Sequence, residues 1–153
     1  MKDRESCKAE LREACLKQLA NRRKAIDERL LQLSKSLEEE TKSSAGDKHE
    51  TGRAMLQLER EKAGHQLAEI EKLENISNRL SSALAKGPAH LGCVIETTEA
   101  HYYLAIPAGE IKIDNQVYYA IAVASPIGQL LLGKSEGASI VFRESTFTIE
   151  AIY

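Results

Sequence analysis

Two acidic residues in one short polar segment, G-D-K-H-E-T, have the types and spacing that can hold a metal ion. Asp47 and Glu50 are three positions apart, so on a helix both carboxylates face the same side. Carboxylate oxygens suit hard cations such as Mg²⁺, and two of them, completed by groups from a partner, can form a shared site. The same pair is also a capping-box variant, which requires no function. Both interpretations stay open, and they are compatible, because a cap holds the carboxylates in place.

Other chemistry-bearing patterns are missing from the sequence. It has no Ser-His-Asp or Cys-His arrangement, no phosphate-cradling glycine loop and no dinucleotide fingerprint, so we expect no self-sufficient enzyme. With a net charge of −2, the field of the whole molecule will not drive nucleic-acid binding. Three cysteines without C-x-x-C spacing fit a reducing cytoplasm. Without a signal-peptide core or a membrane-length apolar run, the chain is expected to be cytoplasmic, with no membrane partner.

The N-terminal half is predicted to be two helices that position the acids. Residues 2–85 contain no proline, tyrosine or phenylalanine and are rich in helix-favouring residues. Apolar residues recur there at helical spacing, mostly in steps of three and four, with Arg23 at the one skipped position of the first stripe, which is typical of a coiled-coil seam. The first stripe comprises Leu16, Leu19, Ile26, Leu30, Leu33 and Leu37, and the second comprises Leu56, Ala63, Leu67, Ile70, Leu73, Ile76, Leu80 and Leu84.

A turn is predicted between the two stripes, in T-K-S-S-A-G-D at residues 41–47. Gly46 can adopt backbone angles that a helix interior excludes, and Asp47 can cap a new helix. The stripes then meet in antiparallel register, with Leu37 opposite Leu56. Arms of roughly 40 residues would reach about 60 Å, so we expect the hairpin to protrude with the two acids at its tip. Periodicity alone also allows a dimeric coiled coil or a docking scaffold.

The C-terminal half is predicted to be β-rich. From residue 91 onward, β-branched and aromatic residues alternate, and five strands are expected in GCVIET, HYYLAIP, QVYYAIAVAS, ASIVF and FTIEAIY. One short helix is expected after Ser125, a cap residue, with Pro126 at its first position. The sequence therefore predicts an α+β protein, with a coiled-coil hairpin in residues 1–86 and a small β-rich domain in residues 87–153.

Two segments resemble one family, the bacterial GreA/GreB transcription elongation factors, which stimulate transcript cleavage. The tip G-D-K-H-E-T resembles the family's G-D-x-x-E-N, and S-P-I-G-Q-L-L-L-G-K at residues 125–134 resembles its S-P-I-x-x-x-L-x-G-K. The final F-T-I-E-A-I-Y is similar to the family's last strand. This resemblance implies an antiparallel coiled coil followed by an FKBP-like domain.

The resemblance also implies a partner, RNA polymerase, whose secondary channel the hairpin would enter. Asp47 and Glu50 would complete the coordination of Mg²⁺ shared with the polymerase active centre, near the 3′ end of the nascent RNA. Backtracked transcripts would then be cleaved and arrested complexes rescued, with the polymerase as the catalyst and DNA contacted only through the elongation complex. Ser125, Pro126 and Ile127 match the family's region of contact with the polymerase.

The chain departs from the family just after the acids. The family's E-N-A-E-Y becomes E-T-G-R-A at residues 50–54, so Arg53 replaces a third acid. An arginine there can pair with one of the acids or attract an RNA phosphate. This substitution leaves open a non-cleaving Gre-like regulator or inhibitor that occupies the same channel. A prolyl isomerase is disfavoured, because the tyrosine pairs at 102–103 and 118–119 send their members to opposite sheet faces.

Overall fold

The computed structural model describes residues 3–42 and 47–153, and of residues 47–49 it describes the backbone only. The turn predicted around Gly46 lies outside the described residues. Within them, the chain forms, in order, α1 (Arg4–Lys42), α2 (Asp47–Asn78), β1 (Val94–Thr97), β2 (His101–Ala105), β3 (Gly109–Ile113), β4 (Gln116–Ala122), α3 (Pro126–Leu131), β5 (Ser139–Phe142) and β6 (Ser145–Ile152). Two long helices followed by a sheet confirm the predicted α+β class.

The chain divides into two compact units, which are described in turn. One unit combines Met1–Gln18 with Asn75–Tyr153, and the other is Leu19–Glu74. The first therefore contains the start of α1, the end of α2 and the whole sheet, whereas the second contains the rest of the two long helices. The sequence predicts a boundary between residues 86 and 87, and that division stays a prediction.

In the unit Leu19–Glu74, the two helices run antiparallel. Arg29 of α1 pairs with Glu59 of α2, whereas the later residue Thr41 pairs with the earlier residue Arg53. Residue numbers therefore increase along α1 in the direction in which they decrease along α2. Apolar side chains fill the seam between the helices, as the heptad pattern predicts. The buried members of the seam are Leu19, Leu33, Ala63 and Ile70, and the half-buried members are Ile26, Leu30, Leu37, Leu56, Leu67 and Leu73.

Arg23 occupies the one skipped position of the first stripe, and it is paired across the hairpin. Its Nη1 donates a hydrogen bond to Glu74 Oε1 at 2.6 Å, and its Nη2 lies 3.7 Å from Glu71 Oε1. The hydrogen bond to Glu74 raises the pKa of Arg23. A cation at this seam position thus pairs with acids of α2 where an apolar residue would pack.

The other unit is built around a mixed sheet with the strand order β3-β4-β2-β1-β6-β5. Strands β2 and β4 are parallel, and the remaining neighbours are antiparallel. Alternation along β2 sends Leu104 into the main apolar cluster, whereas Tyr103 points to the opposite face. The cluster contains Ala89, Cys93, Ile95, Leu104, Leu131, Ile140, Phe147, Ile149 and Ile152, with Leu131 supplied by α3.

The described residues contain six strands, one more than the five predicted, because β3 was not recognised. In β3, charged Glu110 and Lys112 alternate with isoleucines, and the strand lies at an edge of the sheet. Its hairpin to β4 turns through Asp114 and Asn115, with φ values of 48° and 67°. Asp and Asn tolerate positive φ, so this pair performs the turn usually signalled by Asn-Gly.

The second stripe predicts a helix that continues through Leu84, and this part of the prediction is wrong. The helix ends at Asn78, and Leu84 is 53% exposed. Beyond the helix, Leu80 N donates to Ser77 O at 3.1 Å, a three-residue step that tightens the last turn. The apolar repeat continued past the helix because Leu80 is buried within the same unit although it is no longer helical.

Two basic residues of α1 bind the carbonyl groups that follow α2 in this unit. Lys8 Nζ donates to Ala83 O at 2.8 Å, and Arg12 Nε donates to Leu80 O at 3.0 Å. Lys8 is only 2% exposed, and its burial lowers the pKa of the amine. These contacts satisfy backbone carbonyls that a continued helix would otherwise have paired.

Tyr103 has a fully buried hydroxyl without a hydrogen-bond partner among the described residues. We expect Tyr103→Phe to leave the free energy of unfolding unchanged or to raise it by up to about 1 kcal/mol, because the desolvated hydroxyl gains no bond in the fold. The matched control is Tyr153→Phe, because the Tyr153 hydroxyl does have a partner and donates to Glu96 Oε1 at 2.8 Å. It should lower that free energy by about 1 kcal/mol or more. Urea denaturation of both variants tests this, and equal losses would contradict it.

Candidate functional site

The predicted acids lie at the start of α2, beside the end of α1. The helix begins at Asp47, and Glu50 follows within its first turn with an exposed side chain. The Asp47 side chain, and with it the predicted cap, lies outside the described residues. Three-residue spacing on one helix places both residues on one side, at the end where the helix dipole favours negative charge.

More acids lie at the end of α1, in the run Glu38, Glu39 and Glu40. Glu38 Oε1 lies 3.4 Å from Lys42 Nζ, an exposed pair that contributes little to stability. Glu40 is half-buried, and its carboxylate lies 3.5 Å from where a Cβ at Gly52 would stand. The carboxylate of Glu40, in the last turn of α1, therefore lies near the backbone of Gly52 in the second turn of α2.

Arg53, three positions after Glu50, bonds to α1. Its Nη1 donates to Thr41 Oγ1 at 2.6 Å, and Thr41 Oγ1 donates to Leu37 O at 2.8 Å. The sequence predicted a pairing with the acids or with phosphate, and it did not single out Thr41. The signal was nevertheless available, because the predicted register of Leu37 opposite Leu56 also sets residue 41 opposite residue 52.

The predicted donor set would suit a hard cation but would be incomplete on its own. Two carboxylates would supply oxygen ligands, whereas Mg²⁺ takes near-octahedral coordination, so waters or partner groups would have to supply the rest. Over residues 3–42 and 47–153, no group of three or more His, Cys, Asp or Glu is arranged to hold a metal ion. The Mg²⁺ site formed by Asp47 and Glu50 with a partner's ligands stays a prediction.

The predicted docking segment is a capped helix with different roles for its three residues. Ser125 Oγ accepts from Gly128 N at 3.1 Å and donates to Ala122 O at 2.6 Å, so its hydroxyl is engaged within the fold. Pro126 opens α3 and is exposed. Ile127 is half-buried and packs against the apolar cluster of the sheet. Of the three, Pro126 alone is fully on the surface.

Two leucines missed by sequence reasoning extend this exposed surface. Leu130 and Leu132 are 37% and 39% exposed, in and directly after α3. The sequence signal was present in the triplet L-L-L at residues 130–132, since a helix can bury only one side of three consecutive leucines. Leu131 is the buried member. Pro126, Leu130 and Leu132 together are the exposed apolar residues of the α3 surface.

Gly128 is required where α3 meets the end of β4. A Cβ added at this position would lie 2.2 Å from Ala122 O and 2.8 Å from Val123 O, both backbone atoms that cannot yield as a side chain does. The backbone N–H of Gly128 also donates a hydrogen bond to the Ser125 hydroxyl that caps α3. The close approach of the helix to the strand end therefore depends on glycine, and it sets where the α3 surface lies.

We expect Gly128→Ala to lower the free energy of unfolding by about 1–3 kcal/mol or more, because the backbone must shift to admit the methyl group. Gly64→Ala is the matched control, since Gly64 is an exposed residue of α2 with nothing within 4 Å of its added Cβ. It should raise the unfolding free energy by up to about 1 kcal/mol through helix propensity. Guanidinium denaturation followed by circular dichroism measures both, and an unchanged midpoint for Gly128→Ala would refute the argument.

No family model and no curated protein matches this chain. Among solved structures, one described as "Structure of the transcription factor Gfh1" is similar to it, with 24% sequence identity and a TM-score of 0.37. The match covers 92% of this chain and 94% of that chain. None of the helices within the described ranges has the length and apolar character that spanning a lipid bilayer requires.

Proposed function

We propose that this chain is a Gre-type factor that delivers Asp47 and Glu50 through the secondary channel of bacterial RNA polymerase and stimulates cleavage of backtracked transcripts. The observation that carries the proposal is the position of these acids at the start of α2, at the end of the antiparallel hairpin. Glu50 is exposed there, so its carboxylate is accessible to a metal ion that a partner also binds. The motifs of the tip and of residues 125–134 support the same function.

The chemistry of the tip follows from its two carboxylates. Bound Mg²⁺ would activate the attacking water and stabilise the leaving oxygen of the RNA, in the manner of two-metal sites. Asp47 and Glu50 would each supply oxygen ligands, and the start of α2 holds them one turn apart. Because two carboxylates leave most coordination positions to the partner, the chain alone would hold the ion weakly. The polymerase therefore remains the catalyst, and the nascent RNA 3′ end lies near the tip.

Docking on the polymerase is assigned to the α3 surface. Pro126, Leu130 and Leu132 offer exposed apolar area, and such area is characteristic of the buried centre of protein interfaces. Ser125 and Ile127 support this surface from within, one through the helix cap and the other through the apolar cluster. A function in transcription places the chain in the bacterial cytoplasm.

A non-cleaving regulator of the same channel is the second candidate. It is favoured by one observation, the presence of Arg53 where the family carries a third acid, held by Thr41. Such a factor would bind polymerase and change initiation or pausing without releasing RNA fragments. The two candidates share the hairpin and the docking surface, so cleavage alone separates them.

The test is a stalled, backtracked elongation complex incubated with Mg²⁺ and the protein. We expect the wild-type chain to release short 3′ RNA fragments, and Asp47→Asn or Glu50→Gln to slow release by about 10- to 100-fold, because each removes an ionised ligand. Glu61→Gln, an exposed acid farther along α2, is the matched control and should cleave as the wild type does.

Binding to the polymerase is measured on the same samples. Retained binding in the two tip variants assigns their defect to chemistry at the tip. Polymerase binding by the wild type without any fragment release would replace cleavage by the non-cleaving regulator. If the wild-type chain does not bind the polymerase, both candidate functions are excluded.

A further inference from the structure

Arg53 joins the two helices of the hairpin just below the proposed site. It lies on α2 one turn after Glu50, and its Nη1 reaches across to Thr41 Oγ1 of α1 at 2.6 Å. In a helix, residues three apart are neighbours on the same side. A contact made by Arg53 therefore acts on the same side of α2 as Glu50.

The Thr41 hydroxyl is oriented as an acceptor for this bond. A threonine hydroxyl has one proton to donate, and Thr41 donates it to Leu37 O within its own helix at 2.8 Å. The hydroxyl oxygen keeps its lone pairs as acceptors, and Arg53 donates to one of them. The guanidinium is thereby held by a side chain whose own orientation is already restricted.

The neighbouring residue, Gly52, also lies near α1. A Cβ added at Gly52 would lie 3.5 Å from the Glu40 carboxylate, so the last turn of α1 runs beside α2 directly before Arg53. The first turn of any helix lacks intrahelical partners for its N–H groups and frays readily. The bond between Arg53 and Thr41, placed one turn further in, reduces that fraying, because it holds the turn to which the first turn is joined.

We propose that Arg53 and Thr41 form a tip clasp that positions Glu50, so that Arg53 is a positioning residue and not the contact for an RNA phosphate. The inference rests on the proposed function and deepens it by assigning a role to the residue that replaces the family's third acid. An arginine that contacts an RNA phosphate needs its guanidinium but does not need Thr41. The clasp needs the hydroxyl of residue 41 as much as the guanidinium.

The experiment compares Thr41→Val, Thr41→Ser, Arg53→Gln and the double variant Thr41→Val with Arg53→Gln. Arg60→Gln, an exposed arginine two turns farther along α2, is the matched control. Two readouts are taken: amide hydrogen exchange at residues 50–55 in the free protein, and the Mg²⁺ concentration that gives half-maximal cleavage in backtracked complexes.

We expect Thr41→Val and Arg53→Gln each to speed exchange at residues 50–55 and to raise the half-maximal Mg²⁺ concentration, by about threefold to tenfold. Thr41→Ser keeps the hydroxyl and should match the wild type, as should Arg60→Gln. The double variant should be no worse than either single variant, because both remove one interaction.

The clasp is overturned if Thr41→Val exchanges and cleaves as the wild type does while Arg53→Gln is impaired, since Arg53 would then act by itself. Unchanged exchange in all variants would overturn it too. Failure of the proposed function gives a different result: the wild type would release no fragments, whereas the exchange measurements on the free protein would still show whether the clasp holds the first turns of α2.

Discussion

The antiparallel register of α1 and α2 is the constraint on which the proposed site depends. Leu33, Ala63 and Ile70 are buried in the seam, and a shift of either helix by one residue would turn such side chains towards water. The same register brings Thr41 to Arg53. Burial of apolar side chains in the seam thus fixes the helix register, and the register determines which polar groups meet beside the acids.

Polar contacts refine this register more than they stabilise it. The ion pairs of Arg23 and Arg29 lie on exposed or half-exposed sides of the hairpin, where each contributes little to the free energy of folding. Their geometry nevertheless discriminates between registers, because a displaced helix would set like charges together or leave cations without partners. The seam supplies the stability, and the charges at its edges supply specificity.

In the unit that contains the sheet, the decisive feature is the satisfaction of backbone groups after α2 ends. Lys8 and Arg12 bind carbonyls at positions 83 and 80, and this allows the chain to leave the helix at Asn78. At α3, Ser125 accepts a hydrogen bond from the backbone N–H of Gly128. The absence of a side chain at Gly128 allows α3 to lie close to the end of β4. Short connections in this unit are thus held by specific donors as well as by apolar packing.

The α+β class, the two seam stripes within residues 19–74, the capped α3 and the start of α2 beside the two acids follow from periodicity and capping chemistry, which are local. The remaining features arise only when distant segments pack together. The end of α2, the edge strand β3, the Thr41 partner of Arg53 and the exposure of Leu130 depend on residues distant in the chain. Local propensity cannot specify such contacts, since their energy exists only when distant segments meet.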